Sequence, residues 1–136
     1  MCLSKKRHVI WGKNPVKIAK KDIKVYKYLV HYEGETAIVS PHRNFIYEFN
    51  KTYETNFCEL DLLPVYNYKH KNQWYINQGF HAFLNIEDAI DHRDCHCTIF
   101  ECVVPNGTKY ILSDDIACEI VSERIIILKE IDLESI

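Results

Sequence analysis

The stretch GFHAFLNIEDAIDHRDCHC, Gly79–Cys97, concentrates side chains that could do chemistry. It contains three of the chain's seven histidines and two of its six cysteines. Imidazole and thiolate groups are the usual zinc ligands, and they also serve as bases and nucleophiles in catalysis. The stretch therefore has three interpretations: a metal site, part of a catalytic site, or a strand and helix that are simply rich in His and Cys.

The zinc interpretation depends on Cys95, His96 and Cys97, with His92 close by. Zinc ligands commonly come as two close pairs, and no second pair follows this cluster. If the cluster enters a strand, Cys95 and Cys97 share one face while His96 points away. Reduced cysteine often packs in a core as a small hydrophobe. We expect no bound zinc, and reduced thiols at both cysteines.

Nucleophilic catalysis has no complete motif in this chain. Cys2 would become an N-terminal nucleophile if Met1 were removed, but basic residues typical of a tail follow it. Phosphate-binding glycine loops and the zinc-protease and serine-hydrolase signatures are missing from the sequence. A Cys–His pair assembled by the fold stays open, because such partners need not be close in sequence.

The elements around these residues predict where their side chains point. GFHAFL is predicted to be a strand with Phe80 and Ala82 on one side and His81 on the other. Asn85 is a natural N-cap with Asp88 three residues later, so the one clear helix is predicted near residues 85–93. His81 is the site candidate of this stretch, because its neighbours face the opposite side.

Elsewhere the sequence is dominated by strand patterns. In DIKVYKYLVHYEG the tyrosines alternate with a mixed face, and Asn106-Gly107 is a strong turn signal. SDDIACEIVSE fits a helical turn or a loop, and RIIILKEI predicts a strand buried on both faces. Further strands are predicted in TAIVS, FIYEF, CTIFECVVP and TKYIL. The expected fold class is α+β, mostly β.

Composition and charge limit the class of protein. Hydrophobic residues are 47% and charged residues 26% of 136 residues, which is typical of one compact globular domain. The chain contains no apolar run of the ~20 residues that a membrane span needs. Since no apolar segment follows the first basic residues, we expect no secretory signal, a cytoplasmic location and reduced cysteines.

The charge is unevenly distributed along the chain. Up to Lys27 the sequence contains nine basic residues and one acidic residue, Asp22. After Tyr110 it contains seven acidic residues and two basic ones. We divide the chain into a basic N-terminal arm, 1–15, and a single α+β domain, 16–136. The arm could bind nucleic acid, or it could be a solvated segment that folds back on the acidic C-terminal part.

Two resemblances follow from the order of these pieces. From IAKKDIKVYK through SPHRNFIYEF, GFHAF and VVPNGTKYI to RIIILKEI, the chain resembles a group of small uncharacterised proteins of gut bacteria and their phages. Its layout also resembles the ADP-ribosyltransferase-like fold, which implies a split sheet. In that class an Arg or His on the first strand precedes a glycine–aromatic strand, a helix with a buried Ala, and a late Glu. The positions here are Lys27 or His31, then GFHAF, Ala89 and Glu123.

The resemblance implies roles in NAD chemistry. Cleavage of the glycosidic bond builds positive charge on the ribose, which Glu123 would stabilise, with His81 as its catalytic partner. Tyr26, Tyr28, Phe80 and His81 would enclose the nicotinamide, and Lys27 or Arg43 would neutralise the pyrophosphate.

Three function classes follow from these observations. The first is a binding or interaction protein of bacterial or phage origin, without a bound cofactor, that has a degenerate nucleotide-binding cleft and a protein or nucleotide partner. The alternative is an enzyme that cleaves NAD or transfers ADP-ribose. A nucleic-acid-associated module that uses the arm is the third.

Overall fold

A computed structural model of the chain describes residues 10–11, 16–31, 37–40, 45–55, 60–63, 73–76, 79–94, 96–112 and 119–135. Within these ranges the chain forms thirteen strands, one α-helix and a terminal 3-10 helix, Leu133–Ser135. The predicted α+β class with dominant strands is confirmed. The bounds are β1 Ile10–Trp11, β2 Lys17–Ile18, β3 Ile23–His31, β4 Ile38–Val39, β5 Ile46–Tyr47, β6 Thr52–Glu54, β7 Leu60–Leu63, β8 Gln73–Ile76, β9 Phe80–Phe83, α1 Ile86–His92, β10 Thr98–Val104, β11 Lys109–Leu112, β12 Glu119–Ser122 and β13 Arg124–Ile131.

Most strands belong to one antiparallel sheet. Its main path runs in the order β2-β11-β12-β9-β3-β10-β13-β6, while β4 pairs with β3 and β5 pairs with β4. A second sheet of three strands has the order β1-β8-β7. β3 and β9 therefore lie side by side at the centre of the larger sheet, and the predicted site residues on these strands are brought close together.

The core lies on one face of the large sheet, which we call the inner face. On β3, Val25, Lys27 and Leu29 are buried there, while Tyr26 and Tyr28 are half-buried on the other side. Strand periodicity thus separates a tyrosine face from a mixed face, as predicted. The mixed face is the more deeply buried of the two. The inner core comprises Val25, Leu29, Ile38, Tyr47, Phe80, Ala82, Phe100, Cys102, Val104, Ile120, Ile125 and Ile127.

The opposite, outer face is partly covered by α1. Ala89 is fully buried on this helix and packs with Phe83 and Ile99. The helix begins after Asn85, as predicted, and the Asn85 backbone is extended as an N-cap requires. The predicted capping bond is wrong, however, because the Asn85 side chain makes no bond to the helix backbone. Its Nδ2 instead donates to Asp88 Oδ2 at 3.2 Å.

The turn at Asn106-Gly107 is confirmed, and Gly107 has the positive φ of 87° that this turn requires. Yet the turn joins strands that do not pair with each other. β10 pairs with β3 and β13, whereas β11 pairs with β2 and β12. The turn therefore carries the chain from one part of the sheet to another.

Two predictions for the C-terminal part need correction. The end of SDDIACEIVSE is strand β12, neither helical turn nor loop, while residues 113–118 lie outside the described part. β13 is not buried on both faces: Ile125 and Ile127 are buried, but Ile126 and Leu128 are only half-buried. The helix packs mainly on β3, β9 and β10, and on β13 Ile131 packs against the cluster that includes Ala89 of the helix, whereas Ile126 and Leu128 stay half-buried.

Few contacts of the proposed arm are described. Ile10 and Trp11 form β1, which pairs with Trp74 and Gln73 of β8. The remaining residues of 1–15 lie outside the described ranges, so the division into an arm and a domain stays a prediction. None of the helices in the described part of the chain has the length and apolar character needed to cross a membrane.

Candidate functional site

The structure distributes the six predicted site residues among three places. The outer face has His81 with the two tyrosines, the inner face has two residues, and the bend before β13 has the glutamate. Tyr26, Tyr28 and His81 lie on the outer face, Lys27 and Phe80 lie on the inner face, and Glu123 lies at the bend. The outer face is therefore where a site could form from the predicted set.

His81 on this face contacts a glutamate that the sequence did not single out. Its Nδ1 lies 2.6 Å from Oε1 of Glu119. β9 and β12 are paired with His81 opposite Val121 and Phe83 opposite Glu119, so the two residues are diagonal neighbours on one face. Their side chains are 13% and 17% exposed. The carboxylate holds the imidazole in one orientation and favours the proton on Nδ1.

Glu123 has a different environment at the bend between β12 and β13. Its Oε2 accepts a hydrogen bond from the backbone N–H of Lys109 at 2.8 Å. Its own N–H donates to the Lys109 carbonyl at 3.0 Å, and its carbonyl accepts from the Thr55 N–H at 2.9 Å. These contacts join the bend between β12 and β13 to the start of β11 and to the residue that follows β6. The carboxylate in contact with His81 thus belongs to Glu119, whereas that of Glu123 accepts a hydrogen bond from Lys109.

A row of aromatic rings lies beside the His81–Glu119 pair. Tyr28 stacks with Phe83, with ring centroids 6.3 Å apart and an interplanar angle of 28°. Phe83 in turn stacks with His92 of the helix at 5.1 Å and 27°. Since Phe83 follows His81 by two residues on the same strand face, the two positions are about 7 Å apart. A flat ligand ring could extend this row while its polar part meets the carboxylate.

Lys27 and Phe80 are directed to the inner core. Lys27 is 3% exposed, its ammonium donates to the carbonyl of His81, and it lies 6.0 Å from the ring centroid of Tyr47. Phe80 is 1% exposed and packs edge-on against Tyr47. In this arrangement neither side chain meets a ligand on the outer face, whether a pyrophosphate for Lys27 or a nicotinamide for Phe80.

The described cysteines are core residues. Burial raises the pKa of the Cys102 thiol to about 12, and the opposing charge of Lys27 offsets only part of that effect. This thiol is protonated at neutral pH and is a poor nucleophile. Cys97 is also buried, and Cys95 lies outside the described residues. Within the ranges described, no three His, Cys, Asp or Glu side chains form a group that could hold a metal ion. The expected absence of zinc stays a prediction.

Glu119 is the residue of this site that the sequence analysis missed. Its signal was the adjacent β-branched residues Ile120 and Val121 in EIVS, a residue type that is enriched in strands. A strand at this position would have put Glu119 and Val121 on one face. The interpretation as a turn or loop concealed that relation.

No protein-family model, curated protein or solved structure matches this chain. The interpretation of the site therefore depends on its own geometry.

Proposed function

We propose that the chain is a binding protein whose ligand site lies on the outer face, at His81 and Glu119. The observation that carries the proposal is the 2.6 Å contact between His81 Nδ1 and Glu119 Oε1, both half-buried. A carboxylate held in this way is oriented before a ligand arrives, so less ordering entropy is lost on binding. The site is a small polar patch beside stacked rings.

The ligand class that suits this patch is a nucleotide. Glu119 can accept hydrogen bonds from ribose hydroxyls, while His81 holds its carboxylate in position. The row formed by Tyr28, Phe83 and His92 offers aromatic surface for a base, and such stacking contributes about 1–3 kcal/mol per base.

Binding without turnover is favoured because the residues predicted for NAD chemistry do not converge. The Glu123 carboxylate is bonded to Lys109, and Lys27 is in the core. Lys27 is thus directed away from the face where a pyrophosphate would lie, and Arg43, the alternative cation, lies outside the described residues. What converges is His81, Glu119 and Tyr28, which can recognise a ligand.

The test compares thermal unfolding with and without NAD or ADP-ribose. A ligand that binds only the folded form stabilises it by about 2.7 kcal/mol at a concentration a hundredfold above Kd. We expect both ligands to raise the Tm of the wild type and to have no effect on Glu119→Gln. Glu130→Gln is the matched control and should keep the shift. An unchanged Tm for the wild type at millimolar ligand, or an unchanged shift in Glu119→Gln, would refute the proposal.

The second candidate is an enzyme that cleaves NAD or transfers ADP-ribose, with the split sheet of the ADP-ribosyltransferase-like fold. The contact between Glu119 and His81 favours it, because Glu119 could then take the catalytic role first given to Glu123. Release of nicotinamide from NAD by the wild type, abolished in Glu119→Gln and retained in Glu123→Gln, would establish this candidate.

A nucleic-acid-associated module is the third candidate, supported by lysines at the edge of the sheet. Lys17, Lys20 and Lys21 are exposed on and after β2, and Lys109 is exposed on the adjoining β11. Electrostatic binding of this kind weakens steeply as salt increases. Binding of an oligonucleotide that is lost between 50 and 200 mM salt, a range of about fourfold, would favour it.

A further inference from the structure

The central strands β3 and β9 are joined in an unusual way. Their ladder has a single register pair, Tyr26 with Phe83. By contrast, β9 pairs with β12 over four positions and β3 pairs with β10 over seven. Both strands continue past their common pair, β3 to His31 and β9 back to Phe80. The backbone ladder therefore does not reach His81, and we call the place between β3 and β9 at His81 the seam.

A side chain bonds across the seam where the backbone ladder has ended. In an antiparallel sheet, alternate residues direct their backbone groups to the same edge of a strand, so those of His81 and Phe83 share one edge of β9. The carbonyl of His81 accepts its hydrogen bond from the ammonium of Lys27. A lysine side chain of β3 thus bonds to the backbone of β9 beyond the end of their shared ladder.

This use of a lysine has an energetic cost. Burial of an ammonium is unfavourable unless it is compensated, and Lys27 is 3% exposed among apolar residues of the inner core. A Met of similar length would fill the same volume without a charge, and such replacements of buried ions are often neutral or stabilising. The bond to the His81 carbonyl and the contact of the ammonium with the Tyr47 ring are interactions that a Met could not provide.

We infer that Lys27 is a positioning residue for the His81–Glu119 site, an inference that rests on the proposed function. Lys27 binds the His81 carbonyl from the inner side of the sheet. The imidazole of the same residue projects on the outer side. The length of the Lys27 side chain fixes the distance between β3 and the His81 carbonyl, and this distance is the width of the seam. It thereby sets the position from which the imidazole meets Glu119.

The experiment replaces Lys27 with Met and reads the His81 ring directly. Nitrogen-15 NMR of the histidine rings reports which nitrogen carries the proton and whether Nδ1 is hydrogen-bonded. We expect Lys27→Met to remain folded, to lose the hydrogen-bonded Nδ1 signature of His81, and to bind NAD and ADP-ribose at least tenfold more weakly. Lys24→Met is the control, since the exposed Lys24 lies on the same strand and forms an ion pair with Glu101 at 3.6 Å. Its His81 signals and ligand affinity should match the wild type.

The two readouts separate this inference from the proposed function. If the wild type binds neither ligand, the proposed function fails, while the His81 spectrum still tests Lys27. A wild-type His81 spectrum in folded Lys27→Met would overturn the inference whatever the ligand result. If Lys27→Met does not fold, Lys27→Gln decides, because it offers a neutral donor on a shorter side chain. A changed His81 spectrum in Lys27→Gln supports the inference, and an unchanged one overturns it.

Discussion

In the part of the chain that the structure describes, two pairs of histidine and glutamate differ in depth. His81 and Glu119 are 2.6 Å apart, with side chains 13% and 17% exposed. His31 and Glu130 are 3.3 Å apart, with side chains 21% and 40% exposed. The residue types are the same, and both contacts use Nδ1 of the imidazole. The position in the sheet therefore accounts for the difference between them.

The deeper pair lies between neighbouring strands near the centre of the sheet, whereas the shallower pair spans β3 and β13, which β10 separates. Water competes for an exposed carboxylate and screens its charge, so an exposed pair contributes little to stability. A half-buried carboxylate keeps its orientation and its interaction. Depth is what makes His81 and Glu119 a candidate site, and the two pairs together form an internal control.

Removing the carboxylate should produce the largest difference between the pairs. We expect Glu119→Ala to lower the free energy of unfolding by about 1.5–3 kcal/mol, because it leaves a half-buried imidazole without its charged partner. Glu130→Ala should change it by less than about 0.5 kcal/mol. Urea unfolding followed by fluorescence measures both. Equal losses in the two variants would show that depth does not distinguish the pairs.

The inner face provides a titrating group deeper than either pair. The pKa of Cys102 is raised by burial from its ordinary value of 9.0 to about 12. Above pH 9 the unfolded chain releases this proton while the folded chain keeps it, so stability falls as pH rises from about 9 to 12. The loss should reach about 1 kcal/mol by pH 10.

Urea unfolding at pH 8, 9 and 10 measures this loss, with Cys102→Ala as the comparison. The variant should be less stable at pH 8, because it has lost buried volume, yet it should lose less stability as the pH rises. Parallel pH profiles for the variant and the wild type would contradict the assignment of this effect to Cys102.

Salt should produce the smallest difference. The coupling energy of an exposed ion pair is about 0.2–1 kcal/mol, and at 1 M salt the screening length is only about 3 Å. Double-mutant cycles at 0.05 M and 1 M NaCl, roughly bracketing the low- and high-screening limits, measure the coupling in each pair. We expect the coupling of His31 with Glu130 to disappear at high salt and that of His81 with Glu119 to persist. Loss of both couplings at high salt would show that the pair of His81 and Glu119 is in contact with solvent.

Much of the local structure was predictable from the sequence. The alternation in GFHAFL put Phe80 and His81 on opposite faces, and Asn85 marked the beginning of the helix. These signals are local, because strand periodicity and capping residues act within a few positions. The burial of β13 was predicted wrongly, since an apolar run does not reveal how far a helix from another part of the chain extends over it.

The sequence by itself determined the mostly-β fold class, the tyrosine face of β3 and the outward position of His81. It did not determine which glutamate joins His81. Glu119 and Glu123 each lie two residues from Val121, the residue paired with His81. Only the tertiary structure distinguishes them, because the chain bends at Glu123 and Lys109 binds that carboxylate, while Glu119 stays in the strand beside β9. Hydrophobic periodicity is a local property, whereas the partner of a side chain depends on residues far away in the sequence.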